Sequence, residues 1–194
     1  MRRAVTDVGY GEHPMKQKQH RQMFEWIPYF RAHTLNHDDD HGNYLTGGEQ
    51  QGDAFAYHNA MAPATTSMIE YNDSEELFAL GRKMNVIWRR AAALELRGRL
   101  LSSDRMQACP RDYYAMQFDD PKSGDGFVQI IRNTQAKKDS FTVYPFVEQD
   151  AVYHFTDPEH GNSFTISGAA LKNGFTVQIP RRSDVLWFYR KDCE

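Results

Sequence analysis

The sequence predicts parallel βα units in its first half and an antiparallel β-sandwich in its second, α/β followed by all-β. Three patterns carry that expectation. An amphipathic helix runs from Asn72 to Leu96. Before it, short apolar runs alternate with helical patterns, as parallel βα units do. After it, from Tyr113 to Arg190, short strand patterns follow one another at close spacing with turn residues between them, as in an antiparallel sandwich.

The long helix organises the rest. Asp73 and Ser74 are suited to accept hydrogen bonds from the free N–H groups of a first turn, and Glu75 and Glu76 fall where the positive end of the helix dipole favours them. Leu77, Leu80, Met84, Ile87, Trp88, Ala91 and Leu94 recur at spacings of three and four, which places them on one face. Arg82, Lys83, Arg89 and Arg90 fall mostly on the other, and Gly98 is a natural stop.

Ahead of this helix, Val5 to Val8 reads as a short extended piece entering a glycine-containing loop, and Met15 to Phe24 as a short polar helix. Trp26-Ile27-Pro28-Tyr29-Phe30 is an apolar run that predicts a buried strand, although Pro28 counts against it. His33 to Gln51 reads as a long loop, Asp53 to Ala62 as a helical turn ended by Pro63, and Thr65 to Tyr71 as a strand. Two or three such units cannot cover a sheet alone, so this half has the look of the end of something larger. Beyond it, strands are predicted at Tyr113–Phe118, Gly126–Asn133, Ser140–Val147, Val152–Thr156, Ser163–Ser167, Gly174–Ile179 and Asp184–Arg190. The pattern weakens between Leu100 and Pro110, which sets the boundary: residues 1–107 form one domain and 108–194 the other.

Bulk properties exclude several classes. The chain has 194 residues, 40% hydrophobic and 25% charged, with a net charge of −3. That balance is ordinary for a globular protein and argues against a general nucleic-acid binder, which shows a basic face. No apolar run approaches the roughly 20 residues that span a bilayer. Cys109 and Cys193 lie far apart and read as reduced thiols rather than a disulfide framework. Arg2 and Arg3 are followed by no apolar segment, so no signal peptide is expected and a cytoplasmic location is.

Several residues are candidates for chemistry. Asp7 lies between a short β run and a glycine-containing loop, where parallel βα architectures carry their reactive groups; its plainer reading is a turn aspartate. His33, His37, Asp38, Asp39, Asp40 and His41 have donor types that suit divalent ions, but a solvated acidic loop is the commoner outcome and no metal is expected. Aromatic residues make up 13% of the chain, and several lie near carboxylates, a pairing common to sugar sites and ordinary cores. Trp26, Tyr29 and Asp53 are the substrate-binding candidates, with helix capping the competing role for Asp53. Trp187, Phe188 and Tyr189 read as core. No phosphate loop, dinucleotide fingerprint, zinc-protease motif or nucleophile elbow occurs.

Met1-Arg2-Arg3-Ala4-Val5 with Thr6-Asp7, Trp26 to Phe30, and Phe55-Ala56-Tyr57-His58-Asn59-Ala60-Met61-Ala62-Pro63 together resemble the C-terminal part of a bacterial α-galactosidase of glycoside hydrolase family 36. The likeness continues through the long helix, Asp112 to Phe118, Gly126 to Gln129 with Arg132, Tyr153 to Asp157, Gly168 to Leu171, and Val185 to Arg190. The resemblance implies that residues 1–107 are the last units of a TIM-type βα barrel and 108–194 the C-terminal β-sandwich. It implies retaining hydrolysis of terminal α-galactosides by two carboxylates, with Asp7 matching the acid/base. The nucleophile lies on an earlier barrel strand, so the chain alone is expected to be inactive. No cofactor is implied. The implied partners are α-galactoside oligosaccharides, the upstream barrel, and further copies of the chain. The alternative is a non-catalytic carbohydrate-binding or structural β module; an upstream aspartate nucleophile in the reading frame would separate the two.

Overall fold

A computed structural model describes residues 7–8, 21–27, 31–33, 53–66, 71, 73–101, 112–132, 136–181 and 183–192. The chain divides into two compact units, Met1–Leu96 and Arg97–Glu194.

In the first unit, strands β1 (Asp7–Val8), β2 (Arg31–His33) and β3 (Ala64–Thr66) form a three-stranded parallel sheet in that order. Asp7 pairs with Arg31, and Arg31 with Ala64. Of the strand expected at Trp26–Phe30, Trp26 is helical, and residues 28–30 lie outside the described residues. Residues 21–26 are helical, the N–H of Ile27 still bonds to the carbonyl of Met23, and β2 begins at Arg31. The cause is local. The predicted polar helix runs on through the first residue of the apolar stretch, with Phe24 turned inward and Trp26, two positions on, turned outward. Pro28 then disfavours helix for the residue before it.

Ala54–Asn59 is a short helix, as the sequence indicates, and its residues from Phe55 to Asn59 are buried. The long helix spans Glu75–Arg97. Ser74 caps it, its hydroxyl accepting from the N–H of Leu77 at 3.3 Å, and Glu75 and Glu76 occupy the first turn. Met84, Ile87, Ala91 and Leu94 are buried, as their spacing requires. Trp88 is half-buried, and its indole N–H donates to the Ala62 carbonyl at 2.8 Å, tying the helix to the chain just ahead of β3.

The second unit is antiparallel. Strands β4 (Arg99–Leu101), β5 (Tyr113–Asp120), β6 (Asp125–Arg132), β8 (Val152–Thr156), β9 (Ser163–Ser167) and β11 (Asp184–Lys191) form a six-stranded sheet in the order β4-β5-β6-β11-β8-β9. A ribbon of β7 (Ser140–Val143) and β10 (Phe175–Gln178) packs on one face. Alternation fixes what meets: Tyr113 and Ala115 of β5, Val128 and Ile130 of β6, and Tyr153 and Phe155 of β8 close on Phe141, Val143 and Val177 of the ribbon. Trp187 packs against this core from β11, and Phe188 and Tyr189 are buried. The β5–β6 hairpin turns at residues 121–124, where Gly124 takes the left-handed conformation at φ 72°. All seven strand patterns thus become strands, Val152–Thr156 and Ser163–Ser167 with unchanged bounds, the others trimmed or extended at their ends, and Ser140–Val147 shortened most. Two elements had no pattern: β4, and a short helix at Gly168–Lys172 capped by the Ser167 hydroxyl.

Candidate functional site

The parallel sheet positions Asp7. Its strand is level with Arg31 and Ala64, so it belongs to the row of residues that crosses the three strands. Trp26 stands apart from that row, 83% exposed at the end of its helix. Tyr29 lies outside the described residues, as do His37 to His41. Asp53 takes the capping role: its backbone is extended and its carboxylate accepts from the N–H of Ala56 at 3.0 Å. Among the described residues, no group of three or more His, Cys, Asp or Glu is placed to hold a metal ion. No described helix is long and apolar enough to cross a membrane.

Two arrangements escaped sequence reading. The first is Glu95, in the last turn of the long helix. It is buried, and neither carboxylate oxygen meets a hydrogen-bond partner among the described residues. Loss of hydration pushes its carboxyl up to about 8. The signal was present: Glu95 follows Ala91 by four, so helical spacing puts it on the apolar face.

The second is a polar network in the β unit. The buried amide of Gln117 donates to the Phe146 carbonyl at 3.0 Å and accepts from the Phe146 N–H at 2.9 Å. The same amide donates to the Tyr189 hydroxyl at 2.8 Å, and that hydroxyl donates to Asp119 at 2.9 Å. Burial pushes the Tyr189 hydroxyl's pKa well above the usual phenol range, so it stays a neutral donor. A little further along the chain, the N–H of Glu148 donates to the Tyr153 hydroxyl at 2.9 Å. These bonds hold the strap from Tyr144 to Glu148 above a cleft of about 400 Å³, whose lining includes Arg99, Asp119, Phe146, Glu148, Tyr153 and Lys172. The signal for this site is weak in sequence, because Gln117 lies 29 positions from the backbone that it pins.

An exposed carboxylate–imidazole–hydroxyl line also occurs, His154 contacting Asp192 at 2.9 Å and Thr165 at 2.8 Å. All three residues lie outside the cleft lining, His154 on β8, Thr165 on β9 and Asp192 just past the end of β11.

No protein-family model and no curated protein sequence matches this chain. Solved structures do. The galactosidase domain of an α-galactosidase–sucrose kinase, AgaSK, aligns over 93% of the chain with a TM-score of 0.66 at 16% identity. The fold is that of the C-terminal part of family 36 α-galactosidases. The family 36 enzyme AgaA of Geobacillus stearothermophilus, solved with raffinose, aligns over 86% with a TM-score of 0.61 at 12% identity. An α-galactosidase from Lactobacillus brevis aligns over 86% with a TM-score of 0.62 at 13% identity. The chain spans only 25%, 22% and 23% of those three chains. At these identities the likeness is one of fold, and the antiparallel β unit matches the C-terminal β domain of the family 36 structures.

Proposed function

We propose that this chain supplies the C-terminal part of a retaining α-galactosidase-like glycoside hydrolase, and that Asp7 is its acid/base. Residues 1–107 would form the last units of the βα barrel and residues 108–194 the β-sandwich that follows. The observation that carries the reading is the succession of elements: three short parallel strands, a long helix and a six-stranded antiparallel sheet, superposing on an α-galactosidase structure over 93% of the chain.

Chemistry sets what the chain contributes. A retaining glycosidase holds two carboxyls about 5–5.5 Å apart, one attacking the anomeric carbon and the other protonating the leaving oxygen. On this reading Asp7 is the second, and the first is on an earlier barrel strand. Trp26 and Tyr29 are offered as sugar-facing aromatics that an upstream barrel would cover. Asp53, whose carboxylate caps a helix, is proposed as a third substrate contact. The substrates proposed are terminal α-galactosides such as raffinose, the sugar in complex with AgaA.

The test is a chain joined to an upstream barrel. The present residues alone should not turn over an aryl α-galactoside. In the joined chain, Asp7→Asn should slow galactose transfer from raffinose far more than from an activated aryl galactoside, whose leaving group needs little protonation. Azide should restore part of the second step by attacking without a general base. Equal losses on both substrates with no azide rescue would remove Asp7 from the role.

A further inference from the structure

The cleft beneath the Tyr144–Glu148 strap is built at some expense. Gln117 is fully buried, and it satisfies both backbone polar groups of one residue, Phe146, as a neighbouring strand would. Tyr153, also buried, holds Glu148 by one bond, its hydroxyl accepting from the Glu148 N–H. Gly168 closes the strap from behind; a Cβ there would stand 1.8 Å from the Glu148 carbonyl oxygen, so only glycine allows the approach. With its backbone held at these points, the strap presents the Phe146 ring at 39% exposure. A large apolar side chain left in water on a fixed backbone has stacking area to offer without an ordering cost.

The charges around it are balanced. Arg99 and Lys172 are cationic, Asp119 and Glu148 anionic, and all four line the cleft. Arg99 and Asp119 pair at 3.2 Å, which sets guanidinium donors beside carboxylate acceptors. A phosphate or carboxylate ligand would want an excess of cations, and an apolar ligand would leave these groups dehydrated without partners. A ligand carrying hydroxyls, each a donor and an acceptor, with one apolar face, fits both the balance and the ring.

We propose that this cleft is a carbohydrate subsite, taking one neutral pyranose ring with its apolar face on Phe146 and its hydroxyls on Arg99 and Asp119. The volume of about 400 Å³ lies in the small-molecule range. Neither the barrel nor Asp7 takes part, so the subsite does not rest on the catalytic reading.

The full 194-residue chain is titrated with raffinose, maltose and inorganic phosphate, followed by amide NMR shifts and calorimetry. At least one of the two sugars should bind saturably, moving the amides of Leu101, Phe146 and Glu148 together, and phosphate should not displace it. Phe146→Ala should weaken binding by about tenfold, as loss of one aromatic contact does, and Phe146→Trp should retain it. Arg99→Ala, which alters an exposed side chain, should weaken binding independently, with thermal melting confirming that each variant is folded. Failure of both sugars to saturate, displacement by phosphate, or unchanged affinity in both alanine variants would overturn the subsite. Turnover is not read here, so failure of the catalytic reading leaves a different signature.

Discussion

At the scale of single residues, Glu95 is the most conspicuous. A carboxylate with no partner among the described residues, buried in the last turn of a helix, meets a dehydrated environment and the negative end of the helix dipole. The folded protein therefore keeps its proton up to about pH 8, while the unfolded chain loses it near the ordinary value of 4.5. Between those values folding takes up a proton, so stability falls as pH rises, at about 1.4 kcal/mol per unit at most. The Glu95 contribution is complete below about pH 4.5 and gone by about pH 8. Glu95→Gln removes the titration. Urea denaturation at pH 5 and pH 8 should show wild type losing a few kcal/mol more than the variant across the interval. Equal losses in the two proteins would mean that Glu95 is hydrated or paired.

At the scale of elements, Trp88 shows how the long helix is anchored. It is half-buried, and its N–H bond to Ala62 crosses 26 positions of sequence. Trp88→Ala removes partial burial and the bond together, an expected loss of about 2–3 kcal/mol, below the cost for a fully buried ring. Trp88→Phe keeps most of the area and loses the bond, costing about 1 kcal/mol. Thermal melts of the two variants check this, and equal shifts would show that the hydrogen bond contributes all of the effect. The helix itself was legible because its cap, its acidic first turn and its apolar spacing all agree. So were the β strands of the second unit, where alternation and turn residues coincide. Trp26 misled because an apolar run of five residues does not distinguish a strand from a helix end, and the helix before it extended into Trp26. β4 went unread because three residues hold too little alternation to see. Of the candidate site, the sequence put Asp7 between a short β run and a loop, and offered helix capping only as the competing role for Asp53. Gln117 and the cleft were not legible, because the bonds that build them join residues far apart in the chain.

At the scale of the whole molecule, the two units differ in how much pairing holds them. β5 and β6 are matched over eight residues, and β11 is paired with β6 on one side and β8 on the other. Phe118, Phe127 and Phe188 form a row across these central strands, the first two rings stacked at 5.2 Å between centroids and the last two tilted at 5.8 Å. Among the described residues, the parallel sheet has two paired positions between β1 and β2 and three between β2 and β3. Short ladders open easily, whereas central strands of a wide sheet open only with the whole unit. Hydrogen exchange on the intact chain should therefore be slowest at amides such as Ile130 and Phe188, and faster by orders of magnitude at Ala32 and Thr65. The proposed barrel adds a further consequence. β1 and β3 lie at the edges of the three-stranded sheet and would gain neighbours in a closed barrel, so joining an upstream barrel should slow exchange at Thr65 while leaving Ile130 unchanged. Exchange at Ala32 that is already as slow as at Ile130 in the chain alone would mean that the parallel sheet needs no further strands, and would remove the structural ground for placing it in a larger barrel.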